Sequence, residues 1–151
     1  MIIHELTAAQ CEEFLTQAVI GRLGCAQHNQ PYIVPVSVYF DRGEKCLYSF
    51  STVGRKVQWM RDNPKVCIEV DDIADQFHWT TVLVTGRYEE IGDLEGERSV
   101  KERALALFQQ HPQWWLPGTA KLASGVEHET PVLFRIRITS VSGRRAARSS
   151  T

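Results

Sequence analysis

Arg55 and Lys56 stand directly behind Gly54 and a few positions after the hydroxyls of Ser49, Ser51 and Thr52. Residues of these types in this order can hold a phosphate: hydroxyls and backbone N–H groups donate to its oxygens, cations add charge-assisted hydrogen bonds, and glycine permits close approach. The spacing puts Arg55 and Lys56 in the first turn of a helix, where unpaired N–H groups and the helix dipole already carry positive charge. Two further cations there are unfavourable unless an anion is close. The alternative is a solvated basic pair. Neither Gly-x-x-x-x-Gly-Lys-Ser/Thr nor Gly-x-Gly-x-x-Gly after a strand occurs, so no P-loop or Rossmann site is expected.

The other chemistry-bearing residues are scattered. His4, His28, His78, His111 and His128 have no ligand spacing, and Glu127-His128-Glu129 reads as a solvated loop, so no metal site is expected. Cys11, Cys25, Cys46 and Cys67 each lie in an apolar segment and read as buried small hydrophobes. Trp59 reads as core. Trp114 and Trp115 cannot both enter one core from a regular strand, so one of them either covers something flat or packs a loop. No catalytic acid, base or nucleophile stands out.

These residues must be positioned by a chain of 151 residues, 43% hydrophobic and 23% charged, with a formal net charge of −1. That composition suits one globular domain and argues against disorder and a dominant polyanion partner. We expect one domain over residues 1–143 and a flexible basic tail over 144–151. Without a leader-like or membrane-spanning segment, a cytoplasmic location is expected.

Thr7 and Gln10 have the spacing of a capping box and start a first helix that reaches about Ala18. Gly21 to Gln27 and Pro31 to Phe40 read as a hairpin around His28-Asn29-Gln30, and Lys45 to Phe50 as a third strand. A short helix falls between Thr52 and Asp62, with Asn63-Pro64 as its stop. Further strands span Lys65 to Asp71 and Thr80 to Ile91, a third helix Leu94 to Gln110, and a closing strand alternates from Val132 to Thr139. The reading is α+β, mainly β: six antiparallel strands forming a closed or nearly closed barrel.

In that order, Pro31 to Ser37, Leu47 to Ser51, Gly54-Arg55-Lys56, Asn63 to Val66, Trp79 to Arg87 and Ile138 to Arg145 resemble the pyridoxamine 5′-phosphate oxidase-like FMN-binding split-barrel proteins. The resemblance implies a homodimer of six-stranded split barrels with FMN between the subunits. It implies that Arg55 and Lys56 bind the phosphate, with Ser49, Phe50, Ser51 and Gly54 around it. Val34, Val36 and Ser37 would line the flavin ring, with Thr81 and Trp115 as further contacts. True pyridoxamine 5′-phosphate oxidases resemble Arg-x-x-Leu-x-Lys on the second strand and Arg-Leu-x-Pro-x-Arg at the end. This chain has Tyr32 to Val38 and Ser142-Gly143-Arg144-Arg145-Ala146 instead, so vitamin B6 oxidation is not expected. The implied activity is a flavin-dependent oxidoreductase acting on a small molecule. A non-catalytic flavin carrier and a deazaflavin-dependent reductase remain as alternatives.

Overall fold

The computed structural model describes residues 1–111 and 131–148. The chain runs β1 (Ile2–Glu5), α1 (Ala8–Gln17), β2 (Ile20–Gln27), β3 (Gln30–Ser37), β4 (Tyr39–Asp41), β5 (Cys46–Ser51), α2 (Arg55–Asp62), β6 (Lys65–Asp75), β7 (His78–Glu90), α3 (Arg98–Gln110) and β8 (Val132–Ala147). The capping box is formed: the Thr7 hydroxyl accepts from the Gln10 N–H, and the Gln10 side chain accepts from the Thr7 N–H at 2.9 Å. His28 and Asn29 take positive φ of 48° and 61°, the two-residue turn whose twist suits a hairpin, and pair β2 with β3 from Gln27 opposite Gln30.

The strands form one sheet in the order β3-β2-β6-β7-β8-β5-β4, with β1 added on β8. The paired strands are antiparallel throughout. Its two edge strands, β3 and β4, are consecutive in the chain and separated only by Val38, so the sheet curls until its edges adjoin. The expected α+β barrel is therefore present, but with 8 strands among the described residues and not six. Two features make the difference. The run from Pro31 to Phe40 splits at Val38, whose N–H turns away to Val19 O at 3.0 Å, and Ile2–Glu5 adds an edge strand.

The basic tail is also corrected in part. Residues 144–147 lie in β8, Arg144 to Ala146 paired with both β1 and β7, and Ala146 is buried. The expected third helix begins later, at Arg98, after a single 3-10 turn over Glu95–Glu97.

Along β7, buried Thr80, Val82, Val84 and Tyr88 alternate with the more exposed Thr81, Leu83, Thr85 and Arg87. The inward set joins Leu23, Val36, Leu47, Ile68, Phe134 and others in the main core. A smaller core forms where α3 covers β4 and β5, with the Phe108 ring 4.5 Å from Tyr39 and 4.7 Å from Phe50. No described helix is long and apolar enough to cross a membrane. All four cysteines are free; Cys11, Cys25 and Cys46 are buried as expected, whereas Cys67 is only partly buried.

Candidate functional site

β5 leads through Thr52 and Val53 into α2, so the hydroxyl-rich strand end delivers the chain to the basic helix start. Gly54 caps that start in extended backbone at φ −162°, and a Cβ placed on it would meet nothing within 4 Å. The space beside the first turn is open.

The two cations diverge from there. Arg55 is exposed, and its guanidinium carbon sits 5.5 Å from the Tyr32 ring centroid on β3. Lys56 is half-buried beside Cys25, which pairs with Tyr32 across the hairpin. Burial pushes the Lys56 ammonium below its ordinary pKa, and Cys25 acts in the opposite direction. Neither residue has a carboxylate partner among the described residues, whereas Arg61 is bonded to Glu90 through two nitrogens at 2.7 and 2.8 Å. A partly desolvated ammonium without a counter-ion is costly, and an anion delivered at the open helix start would relieve that cost.

Strand alternation places Tyr32, Val34 and Val36 on the face of β3 toward the core, with Val36 buried and Val34 partly so. Ser37 is buried at the strand end. On β5, Leu47, Ser49 and Ser51 alternate with Cys46, Tyr48 and Phe50. The Ser49 hydroxyl is fully buried with no hydrogen-bond partner among the described residues, while Ser51 Oγ donates to Thr52 O at 3.1 Å. Ser49 is thus a donor that the described residues leave unused.

Two proposed contacts are placed elsewhere. The Phe50 side chain packs on α3, so only its backbone can face the phosphate cluster. Thr81 points outward from β7, where its Oγ1 donates to Glu69 Oε1 at 2.9 Å. It lines a separate groove of about 540 Å³ with Glu5, Glu69, Leu83 and Arg144. Trp114, Trp115 and Glu127 to Glu129 lie outside the described residues. Among the described residues no cluster of His, Cys, Asp and Glu could hold a metal.

Tyr32 escaped the sequence reading. Its spacing of two and four residues before Val34 and Val36 puts it on their face of the strand, and that alternation was the available signal. It also borders a groove of about 850 Å³, with Gly24, Ile33, Lys65, Cys67 and Arg87.

The structure is thus a curled antiparallel barrel in which α2, beside β3, carries a cation pair without a carboxylate partner among the described residues. Residues 7–145 match the pyridoxamine 5′-phosphate oxidase family, and the chain belongs to it. The crystal structure of a FAD-binding protein from Mesorhizobium loti is 39% identical, covers 97% of this chain and 100% of that one, and superposes with a TM-score of 0.81. An uncharacterised protein of Rhizobium meliloti is 32% identical over 151 residues, covering 97% of each chain. A FAD-binding protein from Mycobacterium smegmatis, 22% identical with a TM-score of 0.63 and covering 94% of this chain and 98% of its own, shares the fold.

Proposed function

We propose that the protein binds a flavin nucleotide through its FMN portion and works as a cytoplasmic flavin-dependent oxidoreductase on a small organic molecule. The observation that carries this reading is Lys56, half-buried and without a carboxylate partner among the described residues, beside Arg55 at the open start of α2. The residues present fit the group. Lys56 and Arg55 would hold phosphate, Ser49 offers an unused donor, and the Val34 to Ser37 backbone offers groups to a flat ring. Bound flavin would supply the redox chemistry, and the chain its binding and orientation. FMN meets these requirements with one phosphate. FAD contains the same portion, and the FAD-binding relative from M. loti favours it as the second reading.

The same proposal includes a homodimer that buries the flavin between two copies. The outward residues of β6 run from Lys65, opposite Arg87 on β7, through Cys67 to Glu69, Asp71 and the exposed Ile73. A two-fold axis through the middle of this face would set the basic end of one copy against the acidic end of the other, which supports the reading.

The absorption spectrum of the purified protein, followed by titration with FMN and riboflavin, tests the cofactor. Flavin bands and tighter binding of FMN are expected; failure to bind any flavin overturns the reading. Reoxidation of the reduced protein with candidate acceptors separates an enzyme from a carrier, because a carrier shows no saturable dependence on acceptor.

A further inference from the structure

Arg55 and Lys56 are adjacent on α2, so the helix turns their side chains about 100° apart and each needs its own seat. Both seats come from one cross-strand pair. Cys25 on β2 stands opposite Tyr32 on β3; Lys56 lies beside Cys25, and the Arg55 guanidinium carbon sits 5.5 Å from the Tyr32 ring centroid. The Tyr32 ring is itself held. Trp59, one helical turn after Arg55, meets it edge to face at 5.7 Å with 62° between the ring planes, and both half-buried rings pack against the main core.

Arg55 is exposed and has no carboxylate partner among the described residues, so the face of Tyr32 is what orients it. A ring face attracts a guanidinium through its quadrupole and leaves the positive charge in place. A carboxylate, such as the Glu90 that binds Arg61, would orient the cation and compete with an incoming anion at the same time. A long side chain that is already held also loses less conformational freedom when it clamps a ligand.

We propose that Tyr32 is a positioning residue of the phosphate site: its ring holds the Arg55 guanidinium at the open start of α2 and thereby sets the preference for a flavin that carries a 5′-phosphate over one that does not. This rests on the flavin reading above. Tyr32 acts through Arg55 and makes no demand on the flavin ring, while Trp59 fixes the plane of Tyr32 from below.

The test alters the charge distribution of the ring without altering its shape. Tyr32→Phe keeps the electron-rich face, whereas pentafluorophenylalanine at the same position keeps the outline and withdraws that electron density. FMN and riboflavin are titrated into the unaltered full chain and both variants by flavin fluorescence, with thermal unfolding of each protein alongside. Tyr32→Phe is expected to preserve the ratio of FMN to riboflavin affinity, and the fluorinated ring to lower it about two- to fivefold through FMN alone. In an Arg55→Met background the two rings are expected to give the same ratio, because the cation they hold is gone.

Equal ratios for the two rings with Arg55 present overturn the proposal, as does a fluorinated ring that weakens FMN and riboflavin alike. So does a drop that persists in the Arg55→Met background. Each of these leaves the flavin reading intact; failure of the unaltered chain to bind either flavin removes that reading and this one with it. Should the fluorinated chain fail to fold, Tyr32→Leu takes its place with the same outcomes.

Discussion

The guanidinium carbon of Arg55 lies 5.5 Å from the centre of the Tyr32 ring, whereas Lys56, the next residue of α2, is half-buried beside Cys25. Adjacent cations of the same motif therefore sit in different environments. The inner one is partly stripped of water and the outer one is hydrated and stacked.

Replacing Lys56 by Ala should lower FMN affinity about ten- to a hundredfold, since a charge-assisted hydrogen bond is worth roughly 1.5–3 kcal/mol and each 1.4 kcal/mol is tenfold. Riboflavin has the same ring system without phosphate and should bind both proteins about equally. Fluorescence titration of both ligands gives the comparison, and an equal loss would mean that Lys56 supports the ring pocket or the fold.

Alkaline pH should separate affinity from stability. Burial holds the Lys56 pKa in the folded protein below its ordinary value of 10.5. Between that lowered value and 10.5 the unfolded chain retains a proton that the folded chain has released. This residue's contribution to stability therefore rises with pH in that window. FMN affinity moves the other way, because the neutral amine no longer attracts phosphate. Binding isotherms across the window, with Lys56→Ala as the pH-insensitive reference, check the sign.

Two glycines should respond very differently to alanine. At Gly86 a Cβ would lie 2.3 Å from the Arg137 carbonyl oxygen and 2.7 Å from Ile136 Cγ2, at the register shift between β7 and β8. Backbone cannot yield there without opening the ladder, so Gly86→Ala should cost about 3 kcal/mol, the upper end for overpacking. Gly54→Ala meets open space at an extended φ and should stay within about 0.5 kcal/mol of the parent. Denaturant midpoints measure both.

The unaltered chain should be a dimer at micromolar concentration by light scattering, and Lys65→Glu should weaken it by placing an acid against the acidic end of the second copy. Adding Asp71→Lys should restore part of the loss. A monomer that binds FMN tightly would overturn the shared site.

Pyridoxamine 5′-phosphate should turn over poorly even at saturating FMN, because Tyr32 to Val38 and Ser142 to Ala146 lack the basic residues expected for its phosphate. Turnover matching that of a true oxidase, in a steady-state assay, would refute this.

The amino-acid sequence by itself determined every feature whose cause is local. The Thr7–Gln10 capping box, the His28-Asn29 turn and the cations of α2 each depend on a few adjacent residues, and all are found where their spacing placed them. The tertiary structure decided what each face meets. Pro31 to Phe40 reads as one continuous strand, yet it breaks at Val38 because β3 pairs with β2 and β4 with β5. Arg144 and Arg145 read as solvated tail but are held in β8 by ladders to β1 and β7. Phe50 turns to Phe108, Thr81 to Glu69, and Tyr32 to Arg55. Alternation in a strand says which side chains share a face; which distant element covers that face is settled only when the whole sheet curls and buries it.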